Sequence, residues 1–465
     1  MLNTEPTSNK PRRSIFSRVA SPVRFVLFAF LSFHPSAMPW LARPNYAREL
    51  RAAFFLPWAF AATEGSVIGF IVRKLYDGVV DDTLLNFFVA ALIAAPAMAN
   101  ITSFGWAIAV SGRRKIPFIT ALQLTIIIAI TIIAAAPRSP AGLILIVVAA
   151  YLARICLAGI ITIRSTVWGV NYPTDRARMA GKLEAVSVTI SSMIAIGLGY
   201  AMQLSENSYR VMIPIFGFIA LIGVGSYARI KVRSESSIIA REQAQSNQSS
   251  GTLAHIPTLF KAIARVMIDD IPFRRYQTCQ FMLGIGNMMS WAPFVILAKE
   301  QFGLDYLPGL ILTQVIPLLM MPLFIPLWAR FLDRVHIVTF RAFHSWVFVI
   351  AMLLSFIGSQ MEMVWLFYAA SVMRGIAFGG GALAWNLGHL HYVKPQRATD
   401  YMAVHVTLTG VRGLTAPFIG VAIYTSYEAR WPGNGSWVFV VGALLAFLGA
   451  MGFLKLSRDF TRAAV

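Results

Sequence analysis

Charged residues and cysteine are both scarce in this chain, and each shortage narrows what the protein can be. Only 13% of its 465 residues are Asp, Glu, Lys or Arg, whereas 57% are hydrophobic. Soluble domains carry about a quarter charged residues, so this chain has too little polar surface to enclose its apolar residues in water. The composition excludes soluble enzymes, disordered proteins and disulfide scaffolds. It predicts an all-α polytopic membrane protein.

Reactive and metal-binding groups are also few. Cys156 and Cys279 lie far apart inside apolar runs, which argues against a disulfide or a metal role. His389, His391 and His405 have no carboxylate or thiol at ligand spacing, so we expect no metal. The sequence contains no Walker motif, no nucleophile paired with a base and no cofactor fingerprint. We therefore expect neither an enzyme nor a bound cofactor.

Twelve apolar runs are long enough to cross a bilayer at 1.5 Å per residue. They lie near residues 53–73, 84–108, 116–136, 141–168, 183–203, 210–228, 276–298, 307–329, 338–358, 364–388, 400–424 and 436–456. These spans divide the chain into two six-helix bundles joined by a polar linker that holds an interfacial helix. The predicted units are a basic arm (1–52), a first bundle (53–228), the linker (229–275), a second bundle (276–456) and a tail (457–465).

The net charge of +20 has a topological origin. Six basic residues fall in the loops of one side, and most of the others lie in the arm, the linker and the loops of the other side. The six are Arg73, Lys74, Arg138, Arg210, Lys299 and Arg430. Because Lys and Arg collect in cytoplasmic segments, we predict a multi-pass protein of the inner (plasma) membrane with both termini in the cytoplasm. Expected partners are membrane lipids and a small solute, not nucleic acid, and the protein is expected to be a monomer.

The two halves of the chain look duplicated. At an offset of about 221 residues, Arg154 of the fourth span falls opposite Arg374 of the tenth, and Tyr172 falls opposite Tyr392. Parallel six-span repeats are a transporter architecture, with the solute site near the midplane between the halves.

Two loops carry parts of one motif. The loop after the second span reads Gly105-Trp-Ala-Ile-Ala-Val-Ser-Gly112-Arg113-Arg114-Lys115. It resembles the cytoplasmic signature of the major facilitator superfamily, in which an aspartate holds the place of Ala109. The symmetric loop keeps Asp333 and Arg334 but loses the glycine and the basic doublet. The Arg374-Gly-Ile-Ala-Phe-Gly-Gly-Gly run of the tenth span also resembles a superfamily pattern.

The resemblance covers about residues 50–456 and implies twelve helices in two pseudo-symmetric halves that rock about a central site. It implies a gating role for the signature residues of both loops, Gly105, Gly112, Arg113, Arg114, Asp333 and Arg334. Asp400 lies at the start of the eleventh helix, where its charge can replace the missing loop aspartate.

Ionisable side chains inside a bilayer are rare and costly, so each is a functional candidate. The candidates that we single out within the predicted spans are Glu64, Arg154, Arg164, Arg374, His405 and Arg412. We expect the solute to be bound by Arg374, Arg412, His405, Asn287, Arg154 and Trp385. Arg164 is expected to reach the membrane surface instead. Glu64 is the candidate for coupling transport to protons, unless it is the permanent ion partner of Arg154.

Three mid-membrane arginines against one glutamate favour an anionic or zwitterionic solute, since guanidinium binds carboxylate and phosphate bidentately. The predicted function is secondary active transport by alternating access. Two alternatives stay open at this point. The aromatic-rich spans suit an exporter or flippase of amphipathic molecules, and the incomplete signature and long arm suit a receptor or scaffold that does not transport.

Overall fold

A computed structural model of the protein describes residues 33–172, 176–248, 265–392 and 398–463. All regular elements in these ranges are helices. Most of the predicted basic arm and most of the predicted interfacial helix of the linker lie outside the described residues, as does the side chain of Asp400.

Six long helices form the first half. The first, α1, has two segments, Arg43–Thr63 and Gly65–Leu75, which meet at an angle of 41°. It begins well before residue 53, where the sequence predicted the span to start. The others are α2 (Asp82–Thr102), α3 (Lys115–Ala135), α4 (Pro140–Asn171), α5 (Arg176–Leu204) and α6 (Tyr209–Tyr227). A shorter helix, Glu235–Gln248, follows; we call it the linker helix.

The second half repeats this arrangement. Its helices are α7 (Ile271–Glu300), α8 (Tyr306–Leu332), α9 (Ile337–Gln360), α10 (Val364–Leu387), α11 (Ala398–Arg430) and α12 (Trp437–Ala463). Eleven of the twelve helices are individually long and apolar enough to span a membrane, and α1 is the twelfth when its two segments count as one span. The predicted all-α fold of twelve membrane helices is confirmed.

Short polar side chains fix where several helices begin. Asp81 accepts a hydrogen bond from the backbone N–H of Leu84 at 3.2 Å, at the start of α2. Ser139 accepts one from Gly142 at 3.2 Å, just before Pro140 opens α4. Asp270 does the same for Phe273 at 2.8 Å in α7. These caps satisfy N–H groups that have no partner within the helix.

An even number of spans brings both ends of the chain to one face of the bundle, which we call the termini face. The two halves are in close contact where α2 packs against α11. A Cβ atom added at Gly413 would lie only 2.2 Å from the Cβ of Ala97. On the opposite face α5 meets α8, since a Cβ at Gly199 would lie 3.0 Å from the Cα of Leu307. Glycine lets these backbones approach each other.

Candidate functional site

Two adjoining cavities lie inside the bundle, and both are lined by Glu64 and Leu318. The first lies between the halves and has a volume of about 250 Å³. We call it the central cavity; its other principal lining residues are Trp291, Phe294, Gln314, Arg374 and Phe378. The second, of about 260 Å³, lies almost wholly within the first half. We call it the first-half cavity; its polar lining includes Glu49, Gln123, Arg154, Arg164, Glu184 and Tyr227.

Glu64 occupies the break in α1. Its backbone is extended, with φ −61° and ψ 131°, between a short 3-10 turn and the second segment. Gly65 follows because a Cβ at that position would lie 2.9 Å from the carbonyl oxygen of Leu92. The Glu64 carboxylate caps no backbone N–H in the helix it precedes. It is therefore available to a side chain from another helix.

That side chain is Arg154 of α4. Its Nη2 lies 2.9 Å from Oε2 of Glu64, and its Nε donates a hydrogen bond of 2.7 Å to the carbonyl of Thr63. Arg154 thus binds both the carboxylate of Glu64 and the backbone carbonyl of Thr63 at the break. In this structure the two charges compensate each other, as one of the two interpretations of the sequence anticipated.

Arg374 of α10 has different surroundings. It is 6% exposed and lines the central cavity. Its Nη2 donates to Oγ of Ser290 at 3.3 Å, and its Cζ lies 3.8 Å from the ring centroid of Phe294. Within the described ranges no Asp or Glu lies at ion-pair distance from it. A neutral hydroxyl and a cation–π contact therefore hold a buried guanidinium that has no counter-ion among the described side chains.

Ser290 corresponds to Glu64 in the architecture of the halves. It marks a turn of α7 between Met289 and Trp291, where its backbone stays helical (φ −82°, ψ −11°), whereas the backbone of Glu64 is extended at the bend of α1. A second pair supports the equivalence: the indole of Trp106 donates to the carbonyl of Ile155 at 3.0 Å, and that of Trp328 donates to Ile376 at 2.9 Å.

Arg412 and His405 of α11 are buried against α7 and line neither cavity. Arg412 donates to the carbonyl of Gln280 at 2.6 Å and to Thr409 at 2.7 Å. Gly284 leaves space for the Arg412 guanidinium, since a Cβ at position 284 would lie 1.8 Å from its Nη1. These two residues, which we expected to bind the solute, pack against a neighbouring helix in this conformation.

Two further predicted residues, Trp385 and Asn287, line neither cavity. Trp385 is half-buried, and its indole donates to Thr409 at 3.4 Å. Asn287 accepts a hydrogen bond of 3.3 Å from the indole of Trp291, which itself lines the central cavity. Of the predicted solute-binding residues, the structure places Arg374 at the central cavity and Arg154 at the first-half cavity.

The signature loop between α2 and α3 is held by the linker helix. Gly112 adopts φ +68°, a conformation that glycine tolerates best. Glu242 of the linker helix accepts hydrogen bonds from the Gly112 N–H at 2.7 Å and from Nζ of Lys115 at 2.6 Å. Gln243 donates to the Gly112 carbonyl at 3.1 Å. Glu242, which lies outside the signature loop, thus supplies a carboxylate to a loop that lacks the superfamily aspartate.

The other predicted gating residues have weaker contacts. Arg114 pairs with Glu235 of the linker helix at 3.5 Å, and Arg113 lies 5.9 Å from the ring centroid of Phe118. Gly105 faces open space. The side chains of Asp333 and Arg334 are exposed and make no hydrogen bond or ion pair with any described residue. The backbone of Asp400 lies in the first turn of α11.

Sequence reasoning missed an ion-pair network that joins the halves at the opposite face. Arg73, 2% exposed, contacts Asp77 at 3.3 Å and Asp82 at 3.0 Å, and it also pairs with Glu300 of α7. Two further pairs cross between the halves, Lys299 with Asp77 and Lys74 with Asp305. The signal was present in the sequence as opposite charges at the ends of the first span of each half.

This network lowers the pKa of two carboxyl groups in the loops. The hydrogen bond from Lys299, aided by Arg73, holds the pKa of Asp77 below its ordinary value. Partial burial opposes the same effect at Asp305, yet Lys74 and the backbone N–H of Tyr306 lower its pKa as well. Both acids are thus held ionised at neutral pH.

The sequence profile of the Major Facilitator Superfamily matches residues 20–417. The chain belongs to the major facilitator superfamily. A comparison with curated protein sequences finds no match. Three solved structures are similar in fold. A D-xylose-proton symporter has a TM-score of 0.66 at 12% identity, over 89% of this chain and 97% of that one.

The nucleoside transporter NupG has a TM-score of 0.64 at 14% identity, over 89% of this chain and 100% of that one. A POT family transporter solved with a thioalcohol-conjugated peptide has a TM-score of 0.64 at 14% identity, over 90% and 96%. These likenesses establish the superfamily fold for the described residues. The class of solute must therefore be inferred from the cavities of this chain.

One buried carboxylate of this superfamily member was also missed. Glu49 is 2% exposed and lines the first-half cavity. The sequence placed it in the basic arm, because Arg43, Arg48 and Arg51 surround it and hide the start of the span. The amphipathic spacing of Tyr46, Glu49 and Ala52, all buried on one face of α1, was the signal available.

Proposed function

We propose that this superfamily member is a secondary active transporter that moves a small anionic or zwitterionic solute by alternating access, in a plasma (inner) membrane with both termini in the cytoplasm. The proposal has the protein bind no cofactor and perform no enzymatic reaction. The observation that carries it is the uncompensated guanidinium of Arg374 in the central cavity between the halves.

The class of solute follows from charge. Taking a charge out of water is costly unless an opposite charge compensates it. Arg374 has only Ser290 and Phe294 as described partners, so a carboxylate or phosphate of the solute would complete its coordination. Trp291 and Phe378 supply apolar walls for the rest of the molecule. A guanidinium binds such an anion through two parallel hydrogen bonds.

The structural neighbours support transport of small solutes, because they are described as transporters of xylose, nucleosides and peptides. A central volume of about 250 Å³ also suits a small solute better than a lipid. The observations therefore favour solute transport over the flippase alternative. Flux of a bound solute in proteoliposomes separates transport from the receptor alternative.

The proposed orientation follows from the two faces of the bundle. The ion-pair network closes the opposite face, whereas the first-half cavity runs from Glu64 towards the termini face and has the exposed Glu184 at its rim. With cytoplasmic termini this conformation faces inward. Cysteines at Ser246 and Asn434 should react with impermeant thiol reagents from opposite sides, and labelling of both from outside would exclude the twelve-span orientation.

Proton coupling is proposed to involve Glu64. A carboxylate that meets an arginine in one conformation and leaves it in another changes its affinity for a proton. Glu64→Gln is expected to abolish accumulation driven by a pH gradient while exchange of solute continues. Full gradient-driven uptake in this variant would exclude Glu64, and loss of folded protein would make its pair with Arg154 structural.

A ligand screen tests the anion site. Small carboxylates, amino acids and organic phosphates are added to the purified protein, and the shift in unfolding temperature is measured for each. Arg374→Gln should weaken binding of each stabilising compound by about 1.5 to 3 kcal/mol, the loss of a charged hydrogen bond. Arg138→Gln is the matched control, because that arginine pairs with Glu206 at the surface, away from both cavities. Equal losses in both variants would contradict the proposal.

A further inference from the structure

Glu49 is a buried carboxylate that forms no ion pair within the described part of the chain. Its Oε2 accepts a hydrogen bond from the indole N–H of Trp168 in α4. Its Oε1 is buried and makes no hydrogen bond with any described residue. No lysine or arginine nitrogen in the described ranges lies within 4.0 Å of either oxygen. Glu64, which lines the same cavity, instead has Arg154 at 2.9 Å.

Six titratable groups surround Glu49, and three of them, the tyrosines, carry no charge at neutral pH. They are Tyr46 and Arg48 on its own helix, Arg164 on α4, Tyr172 just after α4, Glu184 on α5 and Tyr227 on α6. Arg164 stacks on Trp168, with its Cζ 4.4 Å from the ring centroid, and does not pair with Glu49. The hydroxyls of Tyr172 and Tyr227 are buried and make no geometric hydrogen bond with any residue that the structure describes.

This geometry suits a neutral acid better than an ion. An ionised carboxylate at this position would have only neutral donors, Trp168 and the nearby Tyr172 hydroxyl, and an arginine that does not pair with it to replace its water, which is a poor exchange. A protonated carboxyl group has no charge to desolvate. Its O–H can also be donated to a neighbouring tyrosine oxygen, of which two are unpartnered.

We propose that Glu49 is a proton-binding site of the transporter, occupied in the conformation seen here while Glu64 is ion-paired with Arg154. The proton comes from water in the first-half cavity and forms an O–H bond at the Glu49 carboxylate; it returns to water when the site opens, and no other bond changes. The inference deepens the proposed function by adding a second carboxylate to the coupling route, on the same cavity as the first.

Infrared spectroscopy of the purified protein tests this without a solute. A protonated carboxyl group gives a C=O stretching band that shifts to lower frequency in D₂O. The wild type should show such a band at neutral pH. Glu49→Gln, which keeps the size and neutrality of the acid, should lose it. Glu64→Gln is the matched control and should retain it, because Glu64 is ion-paired.

Either of two results in the variants would overturn the proposal: a band that persists in Glu49→Gln, or one that disappears only in Glu64→Gln. If Glu49→Gln fails to fold, Glu49→Asp keeps the test valid, since its band should move in frequency and remain sensitive to D₂O. A wild type that shows the Glu49 band but moves no solute in proteoliposomes would refute the proposed function alone. A transporting wild type without the band would refute this inference alone.

Discussion

The two halves of the molecule place an equivalent arginine in different electrostatic surroundings. In the first half Arg154 meets Glu64 at the break in α1, with 2.9 Å between nitrogen and oxygen. In the second half Arg374 meets Ser290 at the turn in α7, at 3.3 Å. One framework thus holds a compensated charge on one side and an uncompensated charge on the other.

The difference shows how a duplicated site can specialise. A carboxylate at the break neutralises its arginine within the protein, so the pair can support the fold or exchange a proton. A hydroxyl at the same place leaves the arginine in need of an external anion. Under the proposed function, the asymmetry between Glu64 and Ser290 places the negative group of the solute in the second half.

Opposite effects on stability would sharpen the comparison most. Arg154→Gln leaves Glu64 without a cation and should destabilise the ligand-free protein. We expect about 1 to 3 kcal/mol, less than the loss of a fully buried pair, because the Glu64 side chain is 36% exposed. Arg374→Gln removes a buried charge that has no counter-ion, so stability should stay equal or rise. Thermal unfolding in one detergent measures both, and equal losses would break the comparison.

Acid should loosen the contact between the halves at the opposite face. The pKa values of Asp77 and Asp305 are lowered in the folded protein. The stabilisation from their ion pairs is therefore fully present above the ordinary carboxyl pKa of about 4. The contribution is lost as pH falls through the lowered values. A cysteine at Ser66, which lines the central cavity, should therefore react faster from the opposite face below about pH 4 relative to a reference cysteine at Asn434, because acid lowers the thiolate fraction of both.

A substitution at neutral pH provides the matching test of that network. Asp77→Asn removes the charge that pairs with Lys299 and should increase the same labelling. Asp81→Asn is the control, because asparagine caps helices as well as aspartate does and Asp81 is outside the network. Equal labelling in the two variants would show that the ion pairs do not hold this face closed.

The smallest expected effect concerns the two signature loops. Glu242 binds the first loop through Gly112 and Lys115, whereas Asp333 of the second loop has no partner among the described residues. Glu242→Gln should cost about 1 kcal/mol, since this pair is only partly buried. Hydrogen exchange of the first loop should increase in this variant, while Asp333→Asn should leave the second loop unchanged. Faster exchange in both loops would contradict the assignment.

Much of the fold was predictable from the sequence. Long apolar runs indicate the spans, and the α3 boundaries Lys115–Ala135 lie within one residue of the predicted 116–136. The pairing of Arg154 with Glu64 was anticipated as one of two alternatives, because buried charges seek partners. The duplication likewise follows from residues such as Arg154 and Arg374.

The rest depends on packing that periodicity cannot show. Periodicity grouped His405 and Arg412 on one face of α11, but which helix covers that face is a tertiary property. Arg341 and His344 are buried together in α9, yet Arg341 lies near the end of its span and passes for a surface residue. Glu242 sits in a polar linker, where only the folded chain reveals its contact with the signature loop.

Binding of anions by three variants tests the central claim most directly. Ser290→Glu places beside Arg374 the carboxylate that the first half already has, and Arg374→Gln removes the guanidinium. Neither variant should bind the carboxylate or phosphate compounds that stabilise the wild type. Ser290→Ala removes only a neutral hydrogen bond and should still bind them. Retention of the same compounds by Ser290→Glu and Arg374→Gln, or a wild type that binds only cations and uncharged solutes, would contradict the account.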